Sequence, residues 1–248
     1  MKLTLAEPKF LKESVAIISE LVNDVNLKID SNSIQVIAMD PANVALVNFQ
    51  LLSSAFAEYE IEKPIDLSIS LDNLKTILKR AKLSDSVILS HTDGDNRLKV
   101  ELVGGSKRSF SIPLINMDYS DQKIPNLSFS TKVEMPSIQF DDAIEDVGII
   151  AESVAFMIRE GKFFVNSENN LSEAKVEILS TEAINISSGD DEVQSKYSLD
   201  YLKKIIKGSK LADNVVVEFN KDYPLKVSYT VLDKVHLGFI LAPRVSND

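Results

Sequence analysis

Lysine and arginine are concentrated in two short stretches of this chain. Lys75, Lys79, Arg80 and Lys82 lie between Leu71 and Lys82, and Lys203, Lys204, Lys207 and Lys210 lie between Leu199 and Lys210, opposed within those stretches only by Asp72 and Asp200. Cations spaced by four and three residues share one face of a helix, and such a row is suited to loose, sequence-independent contact with phosphates. Around it the chain is acidic, with 37 Asp and Glu against 27 Lys and Arg and a net charge of −10. A tight DNA binder draws its affinity from an excess of cations that release counterions, so the charge here is sorted rather than basic throughout. Solvated lysines on the outer face of an amphipathic helix explain a single row more simply. For four helices in two similar domains, the two explanations weigh about equally on charge alone.

Other chemistries have little material. There are two histidines, His91 beside an expected turn and His236 in an expected strand, no cysteine and no nucleophile elbow, which leaves nothing from which to build a His-based triad. Without cysteine there are no disulfides, thiol nucleophiles, zinc fingers or iron–sulfur sites. Asp93-Gly94-Asp95-Asn96 has a calcium-loop flavour, but its glycine is misplaced and Gly104 stands where a bidentate carboxylate is required, so a hairpin turn is the better reading. The run Ser188–Glu192 reads as a solvated acidic loop. Neither Walker A nor dinucleotide-type glycine spacing occurs. The expectation is a protein that is not an enzyme and has no cofactor and no metal.

The elements that carry the cations are duplicated. LDNLKTILKRAKLSDSVIL from Leu71 returns as LDYLKKIIKGSKLADNVVV from Leu199, a displacement of 128 residues in a chain of 248, with ten of nineteen positions identical. Leu71, Leu74, Ile77 and Leu78 return as Leu199, Leu202, Ile205 and Ile206, the stripe that a helix buries. Two similarly built domains follow, expected at 1–115 and 131–248 and joined by a linker over 116–130, where Pro125 imposes an extended path. In the first, the pattern predicts a strand at Lys2–Leu5 and a helix from Pro8 to about Asn23, begun by Lys9 and Lys12. Strands follow at Leu27–Asp30, Ser33–Met39, Val44–Leu52 and Ile65–Ile69, then the repeated helix and two hairpins over Ser86–Ser90, Arg97–Val103 and Lys107–Pro113. The second repeats the order, with Thr131–Met135, a helix over Ser137–Glu152, and strands at Val154–Arg159, Lys162–Asn166, Ala174–Ser180, Ala183–Ser188 and Ser195–Ser198. The repeated helix and strands at Asn214–Phe219, Leu225–Val231 and His236–Leu241 complete it. The fold class is α+β, each domain a mainly antiparallel sheet with two amphipathic helices on one face. No secretory signal and no run of about eighteen apolar residues is apparent, so a cytoplasmic protein associated with the nucleoid and without a membrane partner is expected.

Four strings carry a resemblance over essentially the whole chain: AMDPANVALV from Ala38 to Val47, LKTILKRAK from Leu74 to Lys82, the linker's Ile124-Pro125, and FILAPRV from Phe239 to Val245. In order and spacing they resemble the proliferating cell nuclear antigen family of sliding clamps, more in its archaeal than its eukaryotic form. The resemblance implies a ring of three subunits, a homotrimer or a heterotrimer with sister chains, whose helices line a hole around duplex DNA and whose sheets form the outer wall. An acidic outside with a basic lining then accommodates a DNA partner, since only the lining meets phosphate. The alternative from another class is an acidic two-domain scaffold that binds proteins without encircling DNA.

Carried over by position, the resemblance and the helical spacing make Lys9, Lys12, Lys75, Lys79, Lys82, Lys203, Lys207 and Lys210 the DNA-facing residues. Glu13 and Ser19 stand where many relatives carry Lys, which implies a lining less basic than usual. The partner-peptide pocket would comprise Met39, Asn43, Val44, Leu46, Ile124, Pro125, Pro224, Ile240, Ala242 and Pro243. It would receive the short apolar and aromatic motif of DNA polymerase, clamp loader, flap endonuclease and DNA ligase. The subunit interface would set Arg80, Lys82 and Arg108 of one copy against Asp142 and Asp146 on the next, which accounts for an otherwise puzzling acidic helix carrying Asp141, Asp142, Glu145 and Asp146. Hydrogen bonding between edge strands at Lys107–Ile112 and Lys175–Thr181 would carry most of that contact.

Overall fold

The computed structural model describes residues 1–116 and 122–244. Residues 117–121 of the expected linker and Val245 of the terminal string lie outside the described residues. Two compact units are present: Met1–Pro41, Val47–Ile124 and Val231–Leu237 form the first, and Ala42–Leu46, Pro125–Thr230 and Gly238–Asp248 the second. Each unit therefore takes a short piece of chain from the other half of the sequence.

The first half of the chain runs β1 (Lys2–Leu5), α1 (Lys9–Ile18), β2 (Asp24–Ile29), β3 (Ser33–Met39), β4 (Ala45–Leu52), β5 (Glu58–Glu60), β6 (Ile65–Ser70), α2 (Leu71–Leu78), β7 (Ser86–Ser90), β8 (Arg97–Val103) and β9 (Lys107–Pro113). The second runs β10 (Thr131–Pro136), α3 (Ser137–Val147), β11 (Ser153–Arg159), β12 (Lys162–Glu168), β13 (Glu173–Ile178), β14 (Asn185–Ser188), β15 (Glu192–Ser198), α4 (Leu199–Ile205), β16 (Asn214–Phe219), β17 (Leu225–Val231) and β18 (Val235–Leu241). The order of elements is the same twice over, and the displacement of 128 that relates α2 to α4 also relates β9 to β18 and the starts of β4 and β13.

In the first unit the strands align as β5-β1-β7-β8-β9 and β6-β2-β3-β4; in the second, as β14-β10-β16-β17-β18 and β15-β11-β12-β13. Neighbouring strands run antiparallel, as in Arg97↔Pro113 of β8 and β9 and Phe163↔Ile178 of β12 and β13. Leu71, Leu74 and Leu78 of α2 are each 1% exposed, and Leu202 and Ile205 of α4 are fully buried. Burial of such side chains contributes about 1.5–3 kcal/mol each, enough to hold helices of seven or eight residues that would melt alone. The core of the second unit centres on Phe156, whose ring lies 5.4–5.9 Å from Phe140, Phe163, Tyr197 and Phe219.

Several elements depart from the sequence pattern at their ends. The first helix stops at Ile18 rather than near Asn23, because Glu20 and Leu21 donate to Ile17 and Ile18 in tight i→i−3 bonds while Leu21 and Val22 stay buried, so the apolar period outlasts the helix. The third stops at Val147 with Gly148 as C-cap, short of Glu152. Strand β5 was not anticipated: Glu58-Tyr59-Glu60 has no apolar alternation and forms by pairing with Lys2–Thr4.

Gly208 occupies the place that Arg80 holds in the first copy, and packing explains it. A Cβ there would overlap the ring of Tyr229, which is fully buried. Gly208→Ala is therefore expected to lower unfolding free energy by about 1–3 kcal/mol through overpacking. Gly105→Ala, where a Cβ meets open space, is expected to be nearly neutral. Urea unfolding of both variants checks the contrast, and equal midpoints would refute the packing account.

Candidate functional site

The basic face of the first unit is built by α1 and α2, which pack on one another. Pro8 presets the entry to α1 and Lys9 begins it, exposed. Lys12, half-buried, reaches past the end of α2 and its Nζ donates to the Ala81 carbonyl at 3.1 Å. Lys75 in turn lies with Nζ 3.5 Å from Glu20 Oε1, just past the end of α1. Each helix thus sends a lysine to the C-terminal end of the other, where orphan carbonyls favour a cation. Lys79, Arg80 and Lys82 follow as exposed residues on the turn that closes α2.

That turn is anchored from below. The Asp85 carboxylate, 2% exposed, accepts the Lys82 backbone N–H at 2.8 Å and a guanidinium N–H of Arg108, and Gly104 leaves it room, since a Cβ at 104 would overlap the carboxylate. The Lys82 N–H first, and then Arg108, hold the Asp85 carboxyl below the usual carboxylate range. Arg108 also donates to the Arg80 carbonyl at 3.0 Å. Its guanidinium is therefore engaged inside its own unit, a departure from its reading as a cation presented to a neighbouring subunit: Asp85, buried just before β7, with β8 between it and β9, takes the charge first, and Arg108 supports the turn that displays Arg80 and Lys82.

In the second unit α4 passes into a tight 3-10 turn over Ile206–Lys210. Lys203 Nζ lies 4.0 Å from Glu145 Oε2, Lys204 sits over the Tyr201 ring at 5.3 Å, Lys207 is half-buried and Lys210 exposed. Ser209 donates to Asp141 at 2.9 Å, so one acid of α3 serves packing between the helices. Asp142 and Asp146 have a different setting. With Gln139, Ala143, Val176, Ile178, Leu179 and Ile184 they line an open groove of about 330 Å³ between α3 and β13. Leu179 beside it is 51% exposed, and Ile138 at the start of α3 is 59% exposed. The apolar floor of this groove escaped the sequence reading, because Val176, Ile178 and Ile184 look like ordinary core residues in strands.

Among the described residues the strands that end a sheet are β5, β6 and β9 in the first unit and β13, β14 and β15 in the second; β5 and β14 have only three and four residues, and β9 and β13 are longer edges with no strand on their outer side. Their counterparts are paired: β18 stands beside β4, with Leu52 N–H donating to Lys234 C=O at 2.9 Å in the first unit and Ala242 N–H donating to Val44 C=O at 2.9 Å in the second. Strands β6 and β15 are capped by the segments that leave β9 and β18, through Ile115 N–H to Ser68 C=O at 2.9 Å and Arg244 N–H to Lys196 C=O at 2.7 Å. Beside β9, the Glu101 side chain is 9% exposed and accepts Lys99, Lys107 and Ser109, each at 3.0 Å.

The pocket candidates divide between the units. Met39, half-buried at the end of β3, and Ile124, 45% exposed, belong to the first. Asn43, Val44, Leu46, Pro125, Pro224, Ile240, Ala242 and Pro243 belong to the second. Val44 and Ala242 are brought together by the hydrogen bond between them, and Asn43 takes a positive φ of 57° that turns the chain into β4. Val44, Pro224, Ile240, Ala242 and Pro243 are half-buried, and Asn43 and Pro125 exposed. Leu46 is corrected: at 3% exposure it is core and can only support a pocket from beneath. His91 is structural, its Nδ1 donating to the Arg97 carbonyl at 3.1 Å.

The family models for the N-terminal and C-terminal domains of proliferating cell nuclear antigen match residues 1–123 and 123–244. The DNA polymerase sliding clamp of Nanoarchaeum equitans is 34% identical over 247 residues, covering 98% of this chain and 99% of its own. That of Pyrococcus furiosus is 32% identical over 228 residues, covering 92% and 91%. Among solved structures, proliferating cell nuclear antigen from Thermococcus kodakaraensis superposes with a TM-score of 0.91 at 25% identity, covering 98% of this chain and 99% of its own.

The cluster beside β9 makes stability depend on pH. Lys99 first, then Lys107, pull the Glu101 carboxyl down to about 2, from about 4.3 in an unfolded chain. Its contribution is complete above the unfolded value and is lost as pH falls towards the folded one. The urea midpoint of the unsubstituted chain is expected to fall more steeply than that of Glu101→Gln between about pH 5 and pH 2.5; parallel curves would refute the assignment.

Proposed function

The chain belongs to the proliferating cell nuclear antigen family, and on that premise we propose that it closes with two further copies into a ring around duplex DNA. It is a DNA polymerase sliding clamp, a processivity factor without catalytic activity of its own. The observation that carries the ring is the unpaired edge at β9 and β13. They are the counterparts of β18 and β4, which pair within the chain. A second copy can therefore offer β13 to β9 in the way β4 meets β18, and a head-to-tail contact of this kind closes when the rotation permits. The groove between α3 and β13 receives the turn after α2, with Arg80 and Lys82 facing Asp142 and Asp146 and Arg108 holding the turn in place. Exposed ion pairs add only about 0–1 kcal/mol each, so the strand pairing and the apolar floor do most of the holding.

Inside the ring, Lys9, Lys12, Lys75, Lys79, Lys82, Lys203, Lys207 and Lys210 face DNA. In the second unit the surface around Val44 and Ala242, with Pro125, Pro224, Ile240 and Pro243, takes the short motifs of polymerase, clamp loader, flap endonuclease and ligase; Met39 and Ile124 of the first unit are assigned the same role. The half-buried and exposed apolar and proline residues at these positions support that role, because exposed apolar surface of this kind usually marks a partner.

Light scattering is expected to give the mass of a trimer, and loaded clamp to be retained on circular DNA and lost from linearised DNA. A monomer that distinguishes neither would favour the protein-binding scaffold. Replacing Lys79 and Lys207 with Glu should cut clamp-dependent polymerase processivity severalfold in a ring that still assembles; undiminished processivity would remove both from the DNA face. For the pocket, a Met39→Ala, Ile240→Ala variant that remains trimeric should bind a Gln-aliphatic-aromatic peptide at least tenfold more weakly by calorimetry, and retained affinity would count against it.

A further inference from the structure

The first lysine of the repeated helix lies beside a carboxylate in both units, closely in the first and loosely in the second. Lys75 and Lys203 are equivalent under the displacement of 128, and so are Glu20 and Gly148, which follow α1 and α3. In the first unit Glu20 itself takes the lysine, at 3.5 Å, with the Lys75 side chain 20% exposed and the Glu20 side chain 34%. In the second the equivalent position is glycine, and the Lys203 stem crosses it so closely that a Cβ at 148 would lie 3.0 Å from Lys203 Cε; the carboxylate comes instead from Glu145, at 4.0 Å, with the two side chains 40% and 59% exposed. Gly148 has φ −68°, which any residue adopts, so close approach, to the Ile144 carbonyl at 2.8 Å as well as to the Lys203 stem, accounts for it rather than conformation. Two unrelated solutions thus place the same lysine over the end of the preceding helix, beside a carboxylate. Lys12 is likewise turned inward, onto the Ala81 carbonyl. Lys79, Lys82 and Lys210, further along the repeat, are exposed.

We propose that Glu20 and Glu145 regulate the DNA contact by withholding Lys75 and Lys203 from phosphate, leaving exposed lysines such as Lys9, Lys79 and Lys210 to carry most of it. The proposal rests on the DNA-facing reading of the helices. Its physical sense is that affinity for duplex rises with each phosphate neutralised, while a ring that holds DNA topologically gains nothing from tight contact and slides more slowly for it. An acid beside one lysine per helix keeps the contact weak without removing the cation that packs the two helices.

The test is a salt series for duplex binding by the assembled protein. Glu20→Gln with Glu145→Gln should steepen the slope of log K against log salt by about 0.9 for each lysine released to a phosphate, and should slow one-dimensional diffusion on DNA severalfold. Adding Lys75→Ala and Lys203→Ala should return the slope to that of the unsubstituted protein. The exposed acids Glu62 and Asp191, changed to Gln and Asn, alter net charge equally and should leave the slope unchanged. An equal steepening in that control, or persistence of the effect without the two lysines, overturns the proposal. If Lys79→Ala with Lys207→Ala lowers the slope while the Glu variants match the unsubstituted protein, the withholding role alone fails. If Lys79→Ala with Lys207→Ala also changes nothing, the DNA-facing reading fails and takes the proposal with it.

Discussion

Backbone amides and carbonyls at a sheet edge must find partners or face water, and much of this molecule follows from where that demand is met and where it is left open. Strands β6 and β15 are capped by the segments leaving β9 and β18 through single hydrogen bonds from Ile115 and Arg244. Strands β5 and β14 are kept to three and four residues. Strands β4 and β18 pair with each other. Among the described residues what remains is the longer edge at β9 in the first unit and at β13 in the second, with a displayed turn bearing Arg80 and Lys82 near the one and an apolar groove with Asp142 and Asp146 near the other.

The electrostatics follow a similar economy. The chain carries −10 overall yet concentrates cations on two helices, and even there several are engaged. Lys12 and Lys75 tie α1 and α2 together, Lys203 lies near Glu145, and Lys204 sits on an aromatic ring. On the proposed DNA face, the contact available to phosphate is then weaker than a count of lysines suggests. For a protein that keeps its DNA by encirclement, weak and movable contact is the useful kind, because each additional neutralised phosphate raises the barrier to sliding. Asp85 and Arg108 show how display and structure are coupled: a buried carboxylate fixes the backbone of the turn whose side chains project outward.

Much of the fold is legible in the residues because the structure obeys local rules. Strands at Ser33–Met39, Ser86–Ser90, Arg97–Val103, Lys107–Pro113, Asn214–Phe219 and Leu225–Val231 have the bounds their alternation and turn residues predict. Helix ends were less legible, since an apolar period at Leu21 and Val22 continues through a tightened turn that is no longer α-helical. Strand β5 was invisible, because Glu58-Tyr59-Glu60 owes its conformation to pairing with β1 rather than to its own pattern. At the site, exposed cations on the repeated helix were readable from spacing. The roles of Arg108, Leu46 and Gly208 were not, since each depends on a neighbour distant in sequence: Asp85, the surrounding core, and the ring of Tyr229.

By itself, then, the sequence determined that the chain is built twice, that each half carries the same amphipathic helix, that its cations are sorted onto that helix, and which family it resembles. Those features are local or periodic, and periodicity survives in one dimension. Only the tertiary structure decided which strand edges are paired and which are open, which lysines are engaged and which project, and why arginine in one copy becomes glycine in the other. These are properties of contact between segments far apart in the chain, set by hydrogen-bond pairing and by the volume of side chains that meet only when the fold has formed.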